Sequence, residues 1–598
     1  MCRIAGIFDP SLPDISCEIV KMRDAMRHGG PDDEGTYIDD TFSLALGHRR
    51  LSLIDLTSGG HQPMSDDSEQ IQIVFNGEIY NYRELRTILK NTGFNFSTAS
   101  DTEVVLKAYR YWGINCFTYF EGMFAIALWD KKKQQIILAR DHAGIKPLYY
   151  YLTSDRLYFA SEIRAFAHLQ YSFSEDEAWR AYFLSFGYLP EPHTTLKNVK
   201  PLEKGSALTI QIPSLTSSLY HFFKLNFSAD IKNEKDAVQL TKAKLEESVQ
   251  RHLISDAPIG LFLSGGIDSS ILTLIASKHK QADLHTLSVI FEEKEFTEEK
   301  FQQIIIQKTR AKHRSYLITR KIFLEHLPDV LQAMDQPSID GINTYFISKY
   351  AKEYGLKAVL SGLGSDELFG GYPSFQRVDR YSLLQSAPSL LLRLLKYINN
   401  YQYKKLSYAS LKNNPGEYLV YRGLFTPQMT ARLLNADEGQ IVNQLNELQN
   451  YYPDKFLNNE NRVSYLETSF YMQNQLLKDS DFMSMWHGLE IRVPFLDKLL
   501  INVLTRIDPA IKFKKDLPKY LLVKAFDNEL PREIWERKKQ GFTFPFMNWL
   551  SESDYLMPQT TNEQTLYQKF SANKLSWSRY WCALLMNRFD VSGLKYHT

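Results

Sequence analysis

Ile259-Gly260-Leu261-Phe262-Leu263-Ser264-Gly265-Gly266-Ile267-Asp268-Ser269-Ser270 is the stretch that decides the fold of the larger part of this chain. Ile259 to Leu263 reads as a short apolar strand, the two glycines break it, and Ile271 to Lys278 continues as a helix. Paired glycines after a strand let backbone N–H groups approach a ligand closely. The helix that follows aims its positive end at the same point, which makes an anion site suited to phosphate. A bare Ser-Gly-Gly is more often a plain turn, but Asp268, Ser269 and the preceding strand make that reading remote. Asp268 would repel phosphate unless a cation lay between them, which points to Mg²⁺. The lysine of a Walker loop is absent.

Working outward, Leu284 to Phe291 is a second strand and Ala358-Val359-Leu360 a third. The third empties into another glycine loop, Ser361-Gly362-Leu363-Gly364-Ser365-Asp366-Glu367, which offers Asp366 as a partner carboxylate. Strand and helix alternate from residue 235 onward. This predicts a parallel sheet with helices on its faces and ligands at the carboxyl ends of its strands. Beyond residue 375 the chain reads as mostly helical, and Leu390-Leu391-Leu392-Arg393-Leu394-Leu395-Lys396 is expected to be a core-facing helix broken by charges.

The first 165 residues have a different rhythm, with short strand-like runs between Gly and Asp turns. Ile71 to Phe75 is a strand expected to stop at Asn76-Gly77, Tyr82 to Leu89 a helix, and Gly122 to Leu128 and Leu148 to Phe159 further strands. From 170 to 235, Pro190, Pro192, Pro201, Pro213 and the polar run Ser214 to Ser218 read as connecting structure. The expected domains are therefore residues 2–210 and 235–598, in keeping with a length that exceeds one core.

Cys2 follows the initiator Met1 directly. Removal of Met1 would place a thiol and a free α-amino group on one residue. That amine titrates near pH ~8 and can serve as the base for its own nucleophile. A small residue chosen only for processing is the plainer reading of Cys2 alone. The other three cysteines, Cys17, Cys116 and Cys582, are scattered and form no CxxC pair, so neither a disulfide framework nor structural zinc is expected. Net charge is +1, which gives no reason to expect nucleic acid or an anionic membrane as partner. With no signal-peptide core and no long apolar run, the expected location is cytoplasmic.

Cys2, His48-Arg49-Arg50-Leu51-Ser52, Asn76-Gly77-Glu78 and Ser100-Asp101-Thr102-Glu103 resemble the class II glutamine amidotransferase domain. Ser264 to Ser270, Ser361 to Tyr372 and Glu490 to Asp497 resemble the synthetase domain of the glutamine-hydrolysing asparagine synthetases, in the same order along nearly the whole chain. The resemblance implies an N-terminal αββα sandwich of the Ntn type, then an α/β nucleotide-binding domain with a helical C-terminal part. It implies Cys2 as the nucleophile that takes the glutamine amide, with Asn76 and Gly77 as oxyanion hole. Arg50 would hold the α-carboxylate and Glu78 and Asp101 the α-ammonium, within a pocket that includes Leu51, Ser52, Leu53 and Ile54.

In the second domain the resemblance implies activation of a carboxylate by ATP as an acyl-adenylate. Phe262, where leucine is usual, and Val289 would hold the nucleotide through backbone, together with Ser361 and Gly362. Ser264, Gly265, Gly266, Asp268 and Ser269 would cradle pyrophosphate, with Mg²⁺ on Asp268 and Asp366. Lys539, in the basic run Trp535 to Phe542, aligns with the lysine that neutralises phosphate charge; Lys519 reads as part of a solvated helix face. An ammonia channel and, by family analogy alone, a homodimer are implied as well.

Two positions depart from the family. Gly29 stands where arginine is usual. Leu363 stands where the asparagine synthetases commonly carry a glutamate linked to forming the aspartyl adenylate and receiving ammonia. The expected reaction is therefore amidation of a carboxylate with glutamine nitrogen, aspartate being the first candidate and a uronic acid or metabolite carboxylate the alternative. An inactive scaffold would not need Cys2, Asp268, Asp366 and Lys539 together, and a stand-alone glutaminase would not need the second phosphate loop.

Overall fold

The structure, a computed structural model, describes residues 2–280, 283–452, 458–537, 544–551 and 557–596. Two six-stranded sheets built from antiparallel pairs form the first unit. One runs in the order 200–201, 149–152, 157–160, 3–8, 44–50, 33–39. The other runs 217–221, 206–211, 135–140, 122–130, 71–79, 64–65. Period-two alternation sends Ile4 and Phe8 from one sheet, and Val74, Ala127 and Trp129 from the other, into a shared inter-sheet core. The opposite faces carry helices: Ile15–Asp24 covers Ala5, Ile7 and Ala45 through Ile19 and Met22, and Tyr82–Asn91 and Asp101–Trp112 cover Ile73 and Phe75. These are the layers of an αββα sandwich.

The strand at 71–79 does not stop at Asn76-Gly77. It runs on to Ile79 because Asn76 and Gly77 keep pairing with Ala125 and Phe124 of the neighbouring strand. Gly77 has φ +151°, and a Cβ there would meet Met123 O at 2.0 Å, so only glycine lets the two strands stay in register. The stretch from 170 to 235 is also more than a connection. It contains the buried helix Trp179–Phe186, the edge strand Lys200–Pro201 of the first sheet, paired with Tyr149–Tyr150, and the last two strands of the second, Ser206–Gln211 on Gln135–Arg140 and Ser217–His221 at the edge.

The second unit is built on a five-stranded, fully parallel sheet in the order 312–318, 285–291, 259–262, 358–360, 490–492. The chain winds outward one way from Ile259–Phe262, then returns to its other side with Ala358–Leu360. The switch point therefore lies between these two strands, and a ligand crevice is expected at their carboxyl ends. Helix Ile267–Lys280 starts straight from the glycine loop. From Ser365 onward the described residues are largely helical.

Leu390 to Lys396 departs from its expected role. Only Leu392 is buried, against Tyr381 and Ala409, while Leu390, Leu391 and Leu394 face outward. No helix of the described residues is long and apolar enough to cross a membrane.

Candidate functional sites

Cys2, Ile4, Gly6 and Phe8 share one strand face by alternation, and Val74, Asn76 and Glu78 share another. Both faces point into the space between the sheets, so Cys2 and Asn76 meet at its end. Cys2 N lies 3.2 Å from Asn76 Oδ1 as donor. With its oxygen so used, the Asn76 amide nitrogen is buried and has no partner. Burial pushes the Cys2 thiol up, against the nearby amino-terminal charge, a Leu51 backbone hydrogen bond and Arg50, which all favour the thiolate.

A cleft of about 320 Å³ opens beside Cys2, lined among others by Arg50, Leu51, Leu53, Ile54, Gly77, Glu78 and Asp101. Gly60, Gln62, Phe75, Ser100 and Thr102 also line it; the sequence reading did not include them in the pocket. Arg50 is fixed from behind: Nη1 donates to Thr57 O at 2.8 Å and Nη2 to Asp55 O. Ser52 and Asn76 are not lining residues. Ser52 N donates to Asp32 Oδ2 at 2.8 Å, and Asp32 in turn takes Lys357 Nζ of the second unit at 2.6 Å. His48 bridges the sheets, its Nε2 3.2 Å from Phe75 O, and burial holds its pKa down at about 3.

The acidic end of the cleft reaches the second unit. Glu78 is buried 3.5 Å from Arg492 Nη2, and Arg492 also pairs with Glu490 and donates to the carbonyls of His252 and Ile254. Burial raises the Glu78 carboxyl well above the usual range, opposed by Arg492 and reinforced by Glu490 and Asp101. Burial also raises Asp101, to about 6, although it accepts a hydrogen bond from Ile79 N at 3.0 Å. Gly29 has a structural reason. A Cβ there would stand 2.8 Å from Arg3 Cγ and Nε, so glycine leaves room for Arg3, whose Nη1 meets Asp481 of the second unit at 2.7 Å. Lys146 joins the same carboxylate at 2.8 Å.

At the switch point of the parallel sheet the two glycine loops meet. Lys519 is buried, not solvated. Its Nζ lies 2.6 Å from both Asp268 oxygens and 2.7 Å from Asp366 Oδ1. Ser365 Oγ donates to Asp268 Oδ1 at 2.6 Å. Lys519 does not join a solvated helix face because it precedes the helix Tyr520–Ala525 in a left-handed conformation, φ +49°, which turns it off that helix and into the crevice. Burial lowers its pKa, but Asp268 and Asp366 more than offset that, and the net shift is upward. An ammonium already sits between the two carboxylates, so a cation is accommodated there. Oxygen donors from two strand-end loops suit Mg²⁺ shared with phosphates. No group of three or more His, Cys, Asp or Glu able to hold a metal ion occurs among the described residues.

The first glycine loop is self-bonded: Ser264 N donates to Ser269 Oγ at 3.2 Å and Gly266 N to Ser264 Oγ at 3.3 Å. Phe262 is half-buried and Val289 buried on adjacent strands. Ser361 and Gly362 follow the neighbouring strand, and a Cβ on Gly362 would come within 2.9 Å of Asp268 Cβ. Leu363 is half-buried and packs on the main core. Lys539 lies outside the described residues. Arg537, two residues before it, donates to Gly265 O at 3.1 Å, pairs with Glu298 and stacks over Phe301.

Residues 1–221 match the family described as glutamine amidotransferase domain, and residues 240–573 the one described as asparagine synthase. The chain is 34% identical over 572 residues to asparagine synthetase (glutamine-hydrolyzing) 1 of Bacillus subtilis, covering 92% of this chain and 88% of that one. It is 28% identical to asparagine synthetase B (glutamine-hydrolyzing) of Escherichia coli, over 95% of this chain and 86% of the relative. It is 25% identical to amidase chry2 of Gibberella zeae, over 89% and 85%. By the extent of these matches, the chain belongs to the asparagine synthase family.

Proposed function

We propose that the protein transfers the amide nitrogen of glutamine to a small carboxylic acid, using ATP and passing through an acyl-adenylate. The observation that carries this reading is the Asp268–Lys519–Asp366 cluster at the switch point, in a chain whose Asn76 accepts from Cys2 N and keeps a buried, unpartnered amide nitrogen.

In the first site, removal of Met1 leaves the Cys2 amine beside its own thiol. The amine takes the thiol proton, sulfur attacks the glutamine amide carbon, and the proton goes to departing ammonia as the thioester forms. Asn76 Nδ2 and the Gly77 N–H hold the developing oxyanion; one such donor is worth about 10²–10³ in rate. Arg50 holds the α-carboxylate, and Asp101 and Glu78 the α-ammonium.

In the second site, the acceptor carboxylate attacks the α-phosphorus and pyrophosphate leaves. Ser264, Gly265, Gly266 and Ser269 turn their loop donors to it, and Lys519 and Lys539 neutralise its charge. The backbone at Phe262 and Val289, with Ser361 and Gly362, holds the adenosine side. Asp268 and Asp366 would hold Mg²⁺, which would supply further charge neutralisation on the phosphates. Ammonia from the first site then displaces AMP. Dependence on ATP fits a cytoplasmic enzyme.

Relatives named asparagine synthetases make aspartate the first acceptor to test. Leu363 argues against its efficient use. An apolar side chain there can neither receive the ammonium proton nor pair with a cation, and a positioned base is worth roughly 10²–10⁴-fold. The specificity constant for aspartate should fall below about 10⁴ M⁻¹s⁻¹, while another carboxylate from a panel exceeds it. A value for aspartate at or above that level would make the protein a plain asparagine synthetase.

A further inference from the structure

The net charge of +1 conceals a local asymmetry. Between Asp379 and Glu417 there is no acidic residue, yet Arg380, Arg393, Lys396, Lys404, Lys405 and Lys412 all fall there. The same stretch holds the most exposed leucines of the described residues. Leu383 is 77% exposed, Leu390 71%, Leu391 57% and Leu394 52%, with Tyr397 at 67% and Tyr403 at 53%. These side chains are held in place from below, since Leu392 is buried in a cluster with Tyr381 and Ala409 that Leu384 and Leu395 complete. Lys412 Nζ ties the turn before helix Ser389–Leu394 by bonding Gln385 O and Ala387 O. The apolar face is therefore presented by an anchored element.

We infer that residues 383–404 form a docking face for an anionic lipid surface. Leucines at 390, 391 and 394 project from one short helix, as in helices that lie in the plane of a membrane interface. Arg393 beside them carries charge at headgroup level, and tyrosines belong at that depth. A second copy related by a two-fold axis would bring the two exposed Arg393 side chains toward each other, which charge repulsion disfavours. Lys396 is paired with Glu438, and Lys405 and Lys412 donate to backbone carbonyls, so the charge set among the outward leucines is that of exposed Arg393; an apolar face carrying that cation complements a surface of acyl chains beneath phosphates. The protein would then work at the membrane surface without spanning it.

Co-sedimentation of the full-length protein with vesicles tests this. One vesicle is phosphatidylcholine alone; the other is equal parts phosphatidylcholine and phosphatidylglycerol. Binding is expected to the anionic vesicle, weakened by salt, with little to the neutral one. The combined substitution Leu390→Ser, Leu391→Ser and Leu394→Ser should reduce it at least about tenfold. Glutaminase activity in solution should stay unchanged, which certifies the fold. Arg393→Glu should weaken anionic binding independently, by roughly tenfold. Equal binding of wild type and both variants would overturn the proposal, as would no binding to anionic vesicles. So would wild-type self-association that the triple substitution dissolves, because a second copy would then cover the face.

Discussion

Burial holds the Asp101 carboxyl at about 6, and Glu78 shifts in the same direction beside it. In the proposed reaction both receive the glutamine ammonium, which needs carboxylates. Because the shift is upward, the binding form is lost as pH falls through about 6, well above where an ordinary aspartate protonates. The specificity constant for glutamine should therefore drop about tenfold per pH unit below that point, with an apparent value belonging to the pair. Asp101→Asn should remove or move the inflection and raise KM for glutamine at neutral pH. A glutaminase profile flat from pH 5 to 7 would contradict the assignment. The residues that resemble the amidotransferase family were legible at this scale because each has a short local signature. Gln62, Ser100 and Thr102 reach the cleft only through the packing of other elements, and no local pattern marks them.

At the scale of elements, alternation and the glycine loops gave the strands at 259, 285 and 358 within a residue or two of their observed bounds. Lys312–Ile318 and Glu490–Arg492 escaped. The first is largely exposed and polar on an edge, and the second is a three-residue strand inside a stretch quoted only as a motif. Lys519 was misread for a related reason. One left-handed residue before a helix reverses which face a side chain joins, and periodicity cannot detect that. Its observed place gives a sharp expectation. Lys519→Met removes the ammonium that lies between Asp268 and Asp366 and would neutralise pyrophosphate, so pyrophosphate release with external ammonia should fall about 10²–10³-fold. Glutamine hydrolysis at Cys2 should persist. Wild-type pyrophosphate release from this variant would remove Lys519 from the chemistry.

At the scale of the whole molecule, the two units are joined by buried charge. Arg3, next to Cys2, meets Asp481, and Glu78, in the cleft beside Cys2, meets Arg492. Removing one partner of such a buried pair typically costs about 3–5 kcal/mol, so the cleft beside Cys2 is fixed by residues of the second unit. Sequence order could announce two units but not this seam, because its partners are hundreds of positions apart. The proposed reaction joins two chemistries in one chain through ammonia that one site makes and the other consumes. The most direct test supplies glutamine labelled in its amide nitrogen, MgATP, an acceptor carboxylate and excess unlabelled ammonia, and follows label in the amide product. The wild type should place glutamine nitrogen in the product with one pyrophosphate released per amide, and Cys2→Ala should form the same amide from ammonia alone. Labelled product from Cys2→Ala, or no amide formed by the wild type from glutamine, would contradict the account.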